Sequence, residues 1–305
     1  MLFAACFLIY FCLDLMPGDP IAYMVDQETW GEMTDAQKDA MREALGLNGP
    51  MIERFGKWLA GVLKGDFGYS LTSGVPIKNI VAETLPATLE LSLAALLISS
   101  ILGILFGVIS ALKRGRPVDY VLTLGGLLGM SIPMFFFGLV CLLIFSINLG
   151  WFPIGGRMTA GHEAFIERLP HLVLPAICMG LFLTAGVMRY SRASMLDASN
   201  RDFLRTARSK GLPEWKVNFI HGFRVAMNPV IVLIGMRLPM LISGAVVIET
   251  VFQWPGIGRM FVTAVRGQNY PLVMMIALLM ILATMISSFL IDILTAAIDP
   301  RVRLE

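Results

Sequence analysis

Charge is scarce in this chain. Asp, Glu, Lys and Arg supply 15% of its 305 residues, where a soluble domain carries about 25%. The net charge of +2 is too small to hold a polyanion, which excludes nucleic acid as a partner. Histidine occurs only at His162, His171 and His221, too far apart for metal-ligand spacing, so no metal site is expected. The four cysteines (Cys6, Cys12, Cys141 and Cys178) sit inside apolar runs with no CxxC pair and read as small packing residues. No GxxxxGK[ST] loop is present, so the chain does not bind ATP by that route. HExxH and Ser/His/Asp arrangements are missing too. The expectation is a protein that is not an enzyme, with no catalytic residue and no cofactor of its own.

What the chain has in abundance is apolar sequence: 56% of the residues, with a mean hydropathy of +0.74. The runs fall at 2–16, 87–112, 120–149, 172–188, 229–252 and 272–298. A helical span needs about 20 residues, so these predict an all-α, polytopic membrane protein with six spans. The first run lacks the basic flank and cleavage site of a signal peptide; it reads as a true span short of a few upstream residues. Connections 113–119, 189–228 and 299–305 hold 13 Lys and Arg in 54 residues, whereas 17–86, 150–171 and 253–271 hold 10 in 111. The positive-inside rule then puts the first set, and both termini, in the cytoplasm.

The expected organisation is a first span at 1–16, an extracytoplasmic helical loop at 17–86 and a five-helix core at 87–305. In the external loop, Thr34-x-x-Gln37 is a capping box, followed by Ala36, Ala40, Met41, Ala44 and Leu45 at helical spacing and closed by Gly46. Pro50 opens a second helix with Ile52, Phe55, Trp58, Leu59, Val62 and Leu63 on one face. Both helices suit the outer leaflet, or a scaffold for an external partner.

The polar segment 189–228 carries eight Lys and Arg against three acidic residues. A short helix fits Asp202 to Lys210, with Gly211 in the C′ position and Pro213 beyond it. A second helix from Pro213 would place Trp215, Phe219, Phe223 and Met227 on one stripe. The residues alone leave interfacial ballast and partner docking both open.

The stretch Asp202-Phe-Leu-Arg-Thr-Ala-Arg-Ser-Lys-Gly-Leu, followed by His221-Gly-Phe-Arg-Val-Ala-Met-Asn-Pro229, resembles the EAA loop of ABC importer permeases. The resemblance is to the first permease subunit of dipeptide/oligopeptide importers, whose relatives also carry nickel chelates or glutathione. It extends through Met16-Pro-Gly-Asp-Pro20, Gly65-Asp-Phe-Gly-Tyr-Ser70, Leu85-Pro-Ala-Thr-Leu-Glu-Leu91, Ser131-Ile-Pro133 and Leu149-Gly-Trp-Phe-Pro153. It continues with Arg189-Tyr-Ser-Arg-Ala-Ser194, the stretch Val247 to Gly258, Asn269-Tyr-Pro271 and Asp299-Pro-Arg301. Arg205-Thr-Ala207 stands where the motif's name has Glu-Ala-Ala. The resemblance implies a type I ABC importer permease fold in the cytoplasmic (inner) membrane of a prokaryote. It also implies a homologous second permease, two ATPase subunits that bind the ATP and Mg, and an extracytoplasmic solute-binding protein. Asp202, Arg205, Ala207, Lys210 and Gly211 would then be the ATPase-coupling residues, with the small Ala207 allowing close approach to the ATPase surface.

Four ionisable residues fall inside the predicted spans: Asp14, Arg237, Glu249 and Asp292. Each costs roughly 2.5–3.5 kcal/mol at a helix centre. Asp14, Glu249 and Asp292 lie near span ends, where interfacial hydration suffices. Arg237 lies deeper, beside Pro239 and before Ser243-Gly244; it lines a translocation path or pairs with a partner permease. Arg237, Ser243 and Glu249 are therefore candidate pathway residues, and Trp254, Pro255 and Gly256 a candidate external gate. Ser131-Ile-Pro133 is expected to kink the third span. An ion-coupled secondary transporter is the competing class, but it would show inverted repeats, and none is evident.

Overall fold

The computed structural model describes residues 2–16, 18–25, 27–159 and 165–298. Its elements are α1 (Leu2–Asp14), a 3₁₀ turn (Pro20–Tyr23), α2 (Gln27–Glu32), α3 (Asp35–Ala44), α4 (Met51–Leu63) and α5 (Ile77–Leu112). Next come α6 (Pro117–Ser131), α7 (Met134–Cys141) running into a π-helical turn (Leu142–Asn148), α8 (Phe165–Ser199) and α9 (Asp202–Ser209). A second π turn (Lys216–Gly222) leads to α10 (Phe223–Gly235), α11 (Leu238–Val251), α12 (Ile257–Arg266) and α13 (Tyr270–Ile298). Among the described residues the β pairing is a single bridge, Tyr69 to Pro76. By contact the chain forms two compact units, Met1–Ala87 with Pro255–Ala283, and Thr88–Trp254 with Thr284–Glu305. Both are discontinuous in sequence, so the contact division does not follow the linear boundary expected at 86/87.

In the first unit, α4 packs its aromatic face on α1. Phe55 is buried, its ring 5.5 Å from Phe3, 5.3 Å from Phe7 and 5.5 Å from Tyr10, all edge-on, as ring quadrupoles prefer. Trp58, Leu59 and Val62 join the same cluster, but Ile52 and Leu63 are exposed. These two sit about 60–80° around the helix from Phe55 at 100° per residue, at the edge of the expected face. Protein therefore consumes the stripe of α4 that was expected to lie on the leaflet. Asp14, expected to be hydrated, is paired with Arg54 of α4.

The capping box of α3 is present, with Gln37 N–H donating to Thr34 Oγ1 at 3.3 Å. Gly46 has φ +67° and ends α3 with paired bonds, Leu47 N–H to Arg42 O at 2.8 Å and Gly46 N–H to Glu43 O at 3.0 Å, a Schellman closure. Three of the motifs quoted above meet in this unit. Asp19 accepts the Ile21 N–H at 3.1 Å and the Arg42 Nε–H at 3.1 Å. Hydrogen bonds donated to Asp19, then to Asp39, raise the pKa of the Arg42 guanidinium above its ordinary value. Gly18 lies against Gln268 so closely that a Cβ there would fall 2.6 Å from Nε2. Asn269, which is buried, donates to Ser70 Oγ at 2.7 Å and accepts the Leu71 N–H at 3.1 Å. Helix α12 lies within the connection 253–271.

In the second unit, α8 is central: 72% of its apolar window is buried, against 33% in α5. Alpha5 approaches it through Gly103 and Gly107, one turn apart. A Cβ at Gly103 would stand 2.5 Å from Val187 Cβ, and one at Gly107 2.6 Å from Met188 O. Gly180 of α8 answers with Ile98, 2.8 Å from its would-be Cβ. Such small-xxx-small spacing lets helix backbones pack closely where lipid supplies no hydrophobic drive.

Two expected spans are interrupted. The stretch 117–148 is bent by 100° between α6 and α7, a break rather than a kink. Ile132 is extended (φ −85°, ψ 127°), as a residue preceding proline tends to be. The stretch 229–252 stops at Gly235 and restarts at Leu238, because Pro239 removes an N–H that a continuous helix would use. Among the described residues four helices are long and apolar enough to cross a membrane, or five if the bent pair counts as one span; α1, at 13 residues, is shorter.

The glycine contact yields a prediction. Gly107→Leu should cost about 1–3 kcal/mol by overpacking against the α8 backbone. Gly126→Ala, whose Cβ would meet side-chain atoms no closer than 3.6 Å, should be near neutral. Thermal melts of the purified variants in detergent compare the two.

Candidate functional site

The polar segment is almost wholly helical. Alpha8 runs through Arg189 and Arg192 to Ser199, and two residues later α9 begins. The closure of α9 is the one the sequence predicts. Gly211 has φ +73°, its N–H reaches Arg208 O at 2.9 Å, and the Leu212 N–H reaches Ala207 O at 3.3 Å. Leu212 also packs on Leu204, Ala207 and Val217, the apolar contact that accompanies a Schellman motif.

This packing corrects the reading of Ala207. Its methyl faces inward, 8% exposed, against Leu204 and Val217, so its small size serves the approach of α9 to its own chain. The outward face carries Asp202, Arg205, Lys210 and Gly211, all exposed, with Arg205 3.5 Å from Asp202, and Phe203 is 41% exposed beside them. Arg208 pairs with Glu214 at 2.9 Å and holds the Gly211–Pro213 turn from outside.

The expected stripe Trp215, Phe219, Phe223, Met227 does not form one face. Residues 216–222 make a π turn, with the Phe223 N–H bonded to Asn218 O five residues back. The widened turn moves burial to Val217, Gly222, Ala226 and Met227, leaving Trp215 and Phe219 more than half exposed.

The base of this segment is locked to the α5–α6 corner. Arg192 grips Asp119 with both arms, Nε to Oδ1 at 2.8 Å and the terminal nitrogen to Oδ2 at 2.9 Å. Asp119 also accepts bonds from Ser110 Oγ and from the Gly115 N–H, the latter at 3.0 Å. Asp119 is 4% exposed, and the Arg192 guanidinium foremost among its donors holds the carboxyl well below the usual carboxylate range. Sequence reasoning quoted Arg192 in a motif and missed Asp119, 73 residues away.

Two further carboxylates are held by side chains in this unit. Glu90 receives Arg157 at 2.9 and 2.7 Å. Glu249 accepts a bond from Thr88 Oγ1 at 2.5 Å and is fully buried, which corrects its expected interfacial hydration. The Thr88-Leu-Glu90 motif thus points one side chain at each acid partnership. Asp292 is exposed.

Arg237 is the N-cap residue of α11 at the helix break, rather than a residue within a continuous span. It donates to Leu183 O at 3.3 Å, while its buried Nε has no partner among the described residues. Ser243 lies in α11, and its side chain falls outside the described residues, as do His162 and the motif at 299–301. Trp254 is fully buried, its N–H bonded to Glu249 O at 2.8 Å, so it is an anchor and not an exposed gate surface. Pro255 is exposed and Gly256 buried.

Comparison with known proteins agrees with this helical architecture. The family described as "Binding-protein-dependent transport system inner membrane component" matches residues 103–304. The chain is 39% identical over 288 residues to the oligopeptide transport system permease protein AppB of Bacillus subtilis, covering 94% of this chain and 90% of that protein. It is 32% identical over 311 residues to the dipeptide transport system permease protein DppB of Escherichia coli K12, covering 95% and 91%. The glutathione transport system permease protein GsiC of Escherichia coli is 33% identical, covering 99% and 94%. A solved amino acid ABC transporter with histidines shares the fold at a TM-score of 0.53 and 18% identity, covering 72% of this chain and 94% of that one. The chain therefore belongs to the binding-protein-dependent transport system inner membrane component family, as a permease subunit of an ABC importer.

The Arg192–Asp119 clamp can be tested directly. Asp119→Ala strands a guanidinium and should destabilise the protein by roughly 1–3 kcal/mol. Asp119→Ala combined with Arg192→Met removes both charges and should recover much of that loss. A double-mutant cycle on thermal stability measures the coupling.

Proposed function

We propose that this chain forms half of the membrane pathway of an ATP-driven peptide importer. A homologous second permease completes the pathway, two ATPase subunits bind below, and an extracytoplasmic binding protein delivers peptide above. ATP and Mg belong to the ATPase subunits; this chain binds no cofactor. The setting is the inner membrane of a prokaryote, with six spans and both termini cytoplasmic. In that arrangement α1 is a span and α9 faces the cytoplasm. The names borne by AppB and DppB favour peptides over nickel chelates. Family membership leaves the ion-coupled secondary transporter without support.

The observation that carries the coupling role is the construction of α9. Its inner face is fixed by Leu204, Ala207 and Leu212 on Val217, and its outer face presents Asp202, Arg205 and Lys210. A helix anchored on one side and charged on the other can be pushed without unfolding. Because α9 follows α8 after a two-residue joint, displacement of α9 acts on the central helix of the unit. Arg192 carries that displacement to the α5–α6 corner. The work of the chain is mechanical.

Gly211→Trp is the corresponding test. No atom lies within 4 Å of a Cβ added at Gly211, so the new ring would project away from the chain, into the space a docked ATPase needs. The positive φ adds local strain. In proteoliposomes holding the whole complex, peptide-stimulated ATPase should fall at least tenfold while the chain still folds. Unchanged stimulation would contradict the docking assignment.

A further inference from the structure

Arg237 and Arg189 line one cavity of about 320 Å³, together with Met130, Phe182, Leu233 and Met236. Among the described residues no carboxylate pairs with either guanidinium, and the buried Nε of Arg237 stays without a partner. Elsewhere in the same unit Arg192 is matched by Asp119 and Arg157 by Glu90. Two like charges facing one partly apolar space are mutually unfavourable, and an anion placed there relieves both. The chain also makes room for the guanidinium. Gly186 is where a Cβ would collide with the Arg237 side chain, so no other residue at 186 leaves Arg237 in this position.

We propose that this cavity is a transient binding site for the C-terminal carboxylate of the translocated peptide. The two guanidiniums receive the carboxylate, and the Met130, Phe182, Leu233 and Met236 walls receive the terminal side chain. Its volume is at the low end for a small-molecule pocket, so it holds one end of a peptide and not the whole. Met236 is 61% exposed, which puts it at the rim and leaves the cavity open to an entering ligand. This assignment rests on the peptide-importer reading and adds the chemical group that the pathway recognises.

The test uses the complete importer in proteoliposomes and two forms of one tripeptide, with a free C-terminal carboxylate and with a C-terminal amide. The wild-type ratio of their uptake rates includes the preference of the binding protein, so the readout is the change in that ratio. Arg237→Gln should lower it about tenfold by slowing the carboxylate form, and Arg237→Lys should restore part of it. Gly186→Ala, which displaces the guanidinium without removing it, should act in the same direction and covers the case in which Arg237→Gln does not assemble. Equal slowing of both forms, or an unchanged ratio, overturns the proposal. Each variant is also assayed in phosphatidylcholine vesicles with and without phosphatidylglycerol. An effect that requires the anionic lipid and ignores the peptide terminus means a headgroup site, and overturns the proposal as well. If the wild-type complex moves neither peptide, the peptide-importer reading itself fails, a result distinct from loss of terminus discrimination.

Discussion

Arg192 can close on Asp119 because α5 and α8 meet almost backbone to backbone. Gly103 and Gly107 bring the helices together, and Ser110, one turn further, enters the same hydrogen-bond set as Arg192 and Asp119. The order of events matters physically. A bidentate arginine–carboxylate pair is directional, and inside a poorly hydrated unit it tolerates little misplacement. Close helix packing supplies the placement, and the ion pair then fixes the corner where α5 turns into α6. With that corner fixed, the long central helix α8 is held at its middle by glycine contacts and near its end by charge.

That arrangement explains why the polar segment is rigid near α8 and exposed further out. Through Ser199 it is the continuation of a buried helix. Past Arg201 it is a short helix tied back by Leu212 and Val217, with its charged residues turned away from the chain. The π turn at 216–222 returns the chain to α10, which packs along α8 around Val187, Ala226 and Val230. Force applied to α9 has a short path to the centre of the unit. At the other end of the same unit, Glu90 and Glu249 are held by Arg157 and Thr88, so these acids are structural partners there.

Local chemistry was legible in the sequence, and long-range pairing was not. The capping box at Thr34 and the glycine closures at Gly46 and Gly211 depend on residues within a turn of one another, and each stands as the spacing implies. The quoted motifs marked the right segments without saying which meet: Asn269 lies 199 residues from Ser70, and Glu249 161 from Thr88. The Gly103-x-x-x-Gly107 spacing was readable and was the missed signal for the α5–α8 contact. Helix breaks were half legible. Pro133 announced a kink but not a 100° bend, and Pro239 sat inside the long apolar run 229–252. The π turns left no periodic signature, because one widened turn shifts the stripe too late for Trp215 and Phe219 to share a face with Met227. Ala207 was misassigned for a related reason: a small residue on a helix allows close approach on either side, and only the packing shows which.

The central claim is that the charged face of α9 is the cytoplasmic surface that receives the ATPase. Arg205, whose side chain is 72% exposed, is the place to measure it. A single reactive thiol is introduced as Arg205→Cys after Cys12→Ser, since Cys6, Cys141 and Cys178 are buried. Membrane vesicles of each orientation are then treated with an impermeant maleimide, with the ATPase subunits present or stripped away. The account predicts labelling only in inside-out vesicles, and only when the ATPase subunits are absent. Labelling in right-side-out vesicles, or equal labelling with the ATPase bound, would contradict it.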